Sequence, residues 1–144
     1  ILSPFAIVIF LLTDIRAAAE YLRSQHYDRI VCAGSCMGGT ACLRAAIDGE
    51  SFIGLIILAS PIDASGGLVV SQDELDQLTQ PRLFITGNQD AYGVAGDIKR
   101  MYEFSPDPRT LLTFEQSAHG TDLFQTAARE GLIDEILKFL NSLR

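Results

Sequence analysis

Residues Phe52–Ala59 read F-I-G-L-I-I-L-A, a near-continuous apolar run that stops at Ser60-Pro61. A strand with one wet face alternates polar and apolar residues. An uninterrupted run reads as a strand buried on both faces, the mark of a parallel sheet covered by helices. Parallel neighbours need long crossovers, usually helical, so the flanking segments must carry helical patterns. They do. Asp28 and Arg29 lead into Ile30–Ala33, a short apolar strand that stops at Gly34, and Thr40–Asp48 reads as an alanine-rich helix ending at Gly49. Beyond Phe52–Ala59, Ser71-Gln72-Asp73-Glu74 carries a capping-box signature and opens a short helix to about Thr79. Pro81 then breaks the pattern before strand Arg82–Thr86. A helix around Asp97–Phe104, capped by Asp97, places Ile98, Met101 and Tyr102 on one face. Strand Thr110–Phe114 follows, and helix Leu132–Leu143 closes the chain.

Ahead of these elements, Ile15, Ala18, Ala19 and Leu22 share the face of a helix that Thr13 or Asp14 would cap and that runs to about Gln25. Phe5–Leu12 reads as a buried strand or helix segment. Its eight residues fall short of the roughly 20 a membrane span needs, and it has neither the basic start nor the small-residue cleavage site of a signal peptide. The alternation predicts an α/β fold of three layers, helix–sheet–helix, around a mostly parallel sheet. At 144 residues, positions 1–144 form one domain.

Composition removes several function classes. Apolar residues make up 48% of the chain, enough for a packed core. With 18 acidic against 11 basic residues, the net charge is −7. Nucleic acid and anionic membranes both favour a basic patch, so neither is an expected partner. Cys32, Cys36 and Cys42 are too few for a disulfide framework, and with His26 and His119 they lack the paired spacing of a zinc site. No metal or organic cofactor is expected. Cys32, in a strand, and Cys42, on a helix, read as reduced core thiols, which suits a cytoplasmic setting.

In open α/β sheets the working residues lie at the carboxyl ends of strands. After strand Ile30–Ala33 come Gly34-Ser35-Cys36-Met37-Gly38-Gly39. A phosphate-binding loop would end in Gly-Lys-Ser/Thr, and there is no lysine. A dinucleotide fingerprint needs G-x-G-x-x-G, a spacing these glycines lack. The frame Gly-x-nucleophile-x-Gly fits instead. It describes a sharp strand-to-helix turn whose neighbours two residues either side must be small for the backbones to pass. Ser35 would need glycines where Ala33 and Met37 stand, so the frame selects Cys36. After Arg82–Thr86 come Gly87-Asn88-Gln89-Asp90, and after Thr110–Phe114 comes Ser117-Ala118-His119-Gly120. Nucleophile, acid, histidine is the chain order of one hydrolase class. Asp63, after the strand ending at Ala59, is the rival acid. His26, after a helix end, and the acidic stretch Asp73-Glu74-Asp76 read as solvated surface.

On these three segments the chain resembles the α/β-hydrolase superfamily, specifically the carboxyl half of its fold. Most members carry serine at the elbow. Cys36 is similar to the dienelactone hydrolase-like branch, while the surrounding Gly-x-x-Met-Gly-Gly resembles bacterial serine esterases. The resemblance implies a hydrolase of carboxylic esters, thioesters or lactones. Its nucleophile would be Cys36, its base His119, its orienting acid Asp90, and the Met37 N–H one oxyanion donor. Segments 61–70, 92–96 and 103–109 would line the entrance.

The chain departs from that pattern in one respect. The family's second oxyanion donor comes from a loop after an early strand, and no such loop is present. The strands preceding the elbow helix are replaced by the run Phe5–Leu12. The chain would then be a fragment, a minimal variant, or a sheet completed by a partner. An incomplete sheet exposes an edge, so self-association near Phe5–Leu12 or Ile30–Ala33 is expected. The alternative function is a binding or assembly unit without turnover.

Overall fold

The computed structural model describes residues 4–64 and 67–144. In chain order the elements are α1 (Pro4–Ser24), β1 (Val31–Ser35), α2 (Met37–Ile47), β2 (Gly54–Leu58), the short strands β3 (Asp63–Ala64) and β4 (Leu68–Val69), α3 (Gln72–Asp76), β5 (Arg82–Gly87), α4 (Ala95–Phe104), β6 (Arg109–Phe114), a 3₁₀ helix Gly120–Gln125, and α5 (Arg129–Ser142). Strands β1, β2, β5 and β6 form one sheet in the order β1-β2-β5-β6, and every pairing within it is parallel. Strands β3 and β4 pair antiparallel as a separate hairpin.

The apolar run that opened the reading becomes β2, and all five of its residues are buried. Its neighbour β5 is buried throughout as well. On one face of the sheet Leu55, Ile57 and Phe84 pack with Leu43 and Ala45 of α2 and with Ile98 and Met101 of α4. On the other face Ile56, Leu58, Leu83 and Ile85 pack with Leu132 and Phe139 of α5 and Leu123 of the 3₁₀ helix. The architecture is the expected three-layer α/β/α arrangement. Among the described residues β1 stands at one end of the sheet, paired to β2, and its Ala33 is exposed. Among the described residues no helix is long and apolar enough to cross a membrane.

Three expectations need correction here. First, the helix does not start at Thr13 or Asp14, because α1 begins at Pro4 and runs through both. Proline is tolerated in a first helical turn, and Leu11, Leu12 and Ile15 pack against Ala41, Ala64 and Leu68. The apolar segment is therefore the front of the helix rather than a separate element. The burial expected for residues 5–10 lies outside the described residues. Second, Asp97 lies inside the first turn of α4, whose N-cap position is Val94. Its carboxylate accepts the Ile62 N–H at 3.2 Å and so ties α4 to the segment after β2.

The third correction concerns the cysteines. Cys32 of β1 and Cys42 of α2 form a disulfide, with Cα atoms 5.8 Å apart. Both are buried, as expected of core residues, but as a bonded pair. A strand residue and a helix residue ten positions on face each other because the turn between them folds α2 back along β1. The pairing removes the ground on which the cysteines suggested a reducing compartment.

Candidate active site

The carboxyl end of β1 leads straight into α2 through one residue, Cys36, with φ 54° and ψ −130°. A positive φ costs a non-glycine residue free energy of order 1–3 kcal/mol and survives only where the surroundings over-determine it. Here they do. The Cys36 N–H donates to the Leu58 carbonyl of β2 at 2.9 Å, and the Gly39 N–H donates to the Cys36 carbonyl at 3.1 Å. A Cβ on Gly34 would lie 2.3 Å from the carbonyl carbon and oxygen of Gly38, so the two backbones cross where no side chain fits. The second glycine of the frame behaves differently from expectation. A Cβ on Gly38 would meet nothing within 4 Å, whereas one on Gly39 would lie 2.0 Å from Ser60 Oγ. Gly34 and Gly39 are sterically obliged; Gly38 is not. Cys36 is partly buried and is the cysteine left free. Met37 is the first residue of α2, and the first N–H groups of a helix have no acceptor within it.

The loops after β5 and β6 are joined main chain to main chain. Asn88 N–H donates to the Phe114 carbonyl at 2.7 Å, Gln89 N–H to Gln116 at 3.1 Å, and Ala91 N–H to Ser117 at 2.9 Å. The approach is close enough that a Cβ on Gly87 would sit 2.4 Å from the Gln116 carbonyl oxygen. This ladder carries Asp90 to His119. The Asp90 side chain is fully buried, and its two oxygens stand 3.0 and 2.9 Å from His119 Nδ1. One of them also accepts the Tyr92 N–H at 2.9 Å. A carboxylate accepts only, so Nδ1 carries the proton and Nε2 is the ring's basic nitrogen. His119 Nε2 is buried with no hydrogen-bond partner. The Tyr92 ring lies over the imidazole, centroids 4.4 Å apart and tilted 48°.

The residue after His119 ties this pair to the elbow. Gly120 has φ 55°, and a Cβ there would lie 2.4 Å from Ser35 Oγ. The histidine loop therefore rests on the residue preceding Cys36. Ser35 serves as that contact. The rival acid Asp63 is exposed on β3, while the histidine is held by Asp90. Among the described residues no cluster of three or more His, Cys, Asp or Glu side chains is arranged to hold a metal ion.

Comparison with protein-family models and with curated sequences gives no match. Comparison with solved structures does. A monoacylglycerol lipase from Paleococcus ferrophilus superposes with a TM-score of 0.78 at 14% identity, over 95% of this chain and 76% of that one. The chain has the α/β-hydrolase fold. Other structures with this fold agree. The esterase domain of a Rhodothermus marinus protein matches with TM-score 0.70 at 17% identity over 88% of this chain, and a dienelactone hydrolase from Anabaena variabilis with 0.69 at 18% over 90%. This chain spans 65% of the former and 57% of the latter, less than two thirds of the length of either.

Of the segments expected at the entrance to this site, two follow the carboxyl ends of β2 and β5, on the elbow side. The third does not. Residues 103–109 precede β6, and in a parallel sheet that is the opposite end from the elbow. The acidic stretch on α3 also does more than face water. Glu74 reaches Arg44 of α2 at 2.7 Å. The Ser71 backbone N–H, then Arg44, pull its carboxyl down to about 2. Sequence periodicity gave no sign of the β3–β4 hairpin, which is only two residues per strand.

Proposed function

We propose that the chain is a carboxylic-ester hydrolase unit acting through Cys36, His119 and Asp90. One observation carries the reading: His119 is gripped through Nδ1 by a buried carboxylate, its Nε2 is buried and unpartnered, and its loop rests on the elbow that presents Cys36. In this mechanism Nε2 takes the Cys36 proton as sulfur attacks the acyl carbon. Asp90 fixes the tautomer and offsets the charge of the imidazolium. The oxyanion develops near the start of α2, where the Met37 N–H donates to it. Collapse breaks the ester C–O bond, and the imidazolium returns its proton to the departing alcohol. That leaves a thioester on Cys36. Water, deprotonated by the same nitrogen, hydrolyses it and restores the thiol. The substrate is a small ester, thioester or lactone, and the chemistry calls on no cofactor.

The test is turnover of a short-chain p-nitrophenyl ester. Cys36→Ala should abolish it, and His119→Ala should lower kcat by about 10²–10⁴-fold. Undiminished turnover in Cys36→Ala would overturn the assignment. Higher activity in Cys36→Ser would mark serine as the better nucleophile in this frame.

A second reading, an assembly unit, is favoured by the sheet edge. β1 has one strand partner, and apolar side chains flank it on both faces: Ile15, Leu22 and Phe52 on one, Phe124 and Ile136 on the other. On this reading two copies associate through β1, and a purely monomeric sedimentation profile at micromolar concentration would refute it.

A further inference from the structure

Three hydrogen bonds set Tyr92 beside His119. The Tyr92 N–H donates to an Asp90 carboxylate oxygen at 2.9 Å. The Ala91 N–H before it donates to the Ser117 carbonyl at 2.9 Å, and the Gly93 N–H after it donates to the Asp90 carbonyl at 2.9 Å. Gly93 has φ 75°, a conformation glycine enters without steric cost. The carboxylate that grips His119 Nδ1 therefore also fixes the main chain of the residue whose ring lies over the imidazole, centroids 4.4 Å apart. Core packing does not account for that placement, because Tyr92 is 76% exposed among the described residues. The His119 side chain beneath it is 14% exposed.

An aromatic face is negative and attracts a cation within about 6 Å of the ring centroid. Neutral imidazole gives it no charge to attract. Once the proton passes from Cys36 sulfur to Nε2, the thiol becomes thiolate, the imidazole becomes imidazolium and the attraction switches on. An interaction stronger after the transfer than before it speeds the step and leaves substrate binding alone.

We propose that Tyr92 is a positioning residue acting through His119: its ring face stabilises the imidazolium from above while Asp90 does so in the ring plane at Nδ1. This rests on the reading of His119 as the base for Cys36. The contribution of such a contact is about two- to fivefold at exposed sites and grows as the cation is desolvated. With the imidazole largely covered, about fivefold is expected here.

The experiment compares wild type with Tyr92→Leu, which removes the π face, and Tyr92→Phe, which keeps it and removes the hydroxyl. Each is assayed for p-nitrophenyl ester turnover. Each is also assayed for the rate of Cys36 alkylation by iodoacetamide at neutral pH, which reads the thiolate–imidazolium pair without any ester. Tyr92→Leu should lower kcat and the alkylation rate about fivefold, with KM changed less than about twofold. Tyr92→Phe should recover most of both. The ring contact is read separately by proton NMR. The chain has two histidines, and a His26→Gln variant assigns their signals. The His119 C–H resonances should move downfield in Tyr92→Leu as the ring current is lost, and stay in Tyr92→Phe. If Tyr92→Leu does not fold by circular dichroism, Tyr92→Met supplies a second side chain without a π face and should behave as stated for leucine. Three results would overturn the proposal: kcat and alkylation unchanged in Tyr92→Leu, an equal loss in Tyr92→Phe, or a rise in KM alone, which would make Tyr92 a wall for the substrate. If the wild type turns over no ester, the proposed function fails, while alkylation and the resonances still decide what the ring does to His119.

Discussion

Replacing Gly34 by alanine places a methyl 2.3 Å from the Gly38 carbonyl carbon and oxygen and 2.5 Å from the Gly39 nitrogen. Carbon atoms in comfortable contact sit about 3.5–4.0 Å apart, so one side must retreat by roughly 1 Å. The obstructing atoms are main chain at the start of α2, and no rotamer change can move them. Overpacking that side chains can absorb costs about 1–3 kcal/mol; against backbone the upper end or more applies, and the lost freedom of the unfolded glycine returns less than about 1 kcal/mol. A net loss of about 3 kcal/mol is expected, or about 2 M in the urea midpoint for a slope near 1.5 kcal/mol/M. Gly38→Ala is the control. It is the second residue of that helix, with nothing within 4 Å of the new methyl, and alanine there gains up to about the 0.5 kcal/mol at the low end of its helix-interior advantage over glycine. The two glycines of one symmetric motif should therefore move the urea midpoint in opposite directions. Equal damage from both substitutions, or a Gly34→Ala midpoint like that of the wild type, would refute the backbone crossing.

Asp90→Asn tests the tautomer argument. One of the Asp90 oxygens also serves the Tyr92 N–H, and an amide NH₂ turned to His119 Nδ1 drives the proton to Nε2. The expected fall in kcat is on the order of 10⁴, measured in ester turnover with the fold checked by circular dichroism. Glu74→Gln tests the acid side of stability. The Glu74 carboxyl is held at about 2 against an ordinary 4.5, so its contribution is complete above pH 4.5 and disappears as pH falls toward 2. The carboxylate is about a third exposed, which limits the effect to about 1 kcal/mol. Urea midpoints of wild type and variant should differ at pH 6 and converge near pH 2; a gap independent of pH would contradict the assignment.

Periodicity was enough for the layers. A run such as Phe52–Ala59 must exclude water on both faces, and a strand inside a helix-covered parallel sheet is a short path to that state. Chain order was enough to nominate Cys36, Asp90 and His119, since the crossover topology returns the chain to one end of the sheet after each strand. Local chemistry was also enough for the capping box, because Ser71 and Glu74 need only each other. Where α1 begins was harder to read, since an apolar stretch at the front of a helix carries no period of its own.

Other features depend on which segments meet. Arg82, a strand residue with no exposed surface, gives its guanidinium to the carbonyls of Leu78, Gln80 and Pro106. Burial, and then the charge of Arg109, push its pKa down to about 10. Nothing local announces a buried cation whose partners are main chain from two loops. The same holds for Gly39 against Ser60, Gly120 against Ser35, and Cys32 bonded to Cys42. The sequence by itself determined the strand–helix alternation, a mostly parallel sheet and the three segments at its carboxyl end, because hydrophobic period and turn chemistry act within a few residues. Only the tertiary structure decided which glycines are obliged, which acid holds the histidine and which cysteine stays free, because these are contacts between segments brought together by packing, and packing is blind to distance along the chain.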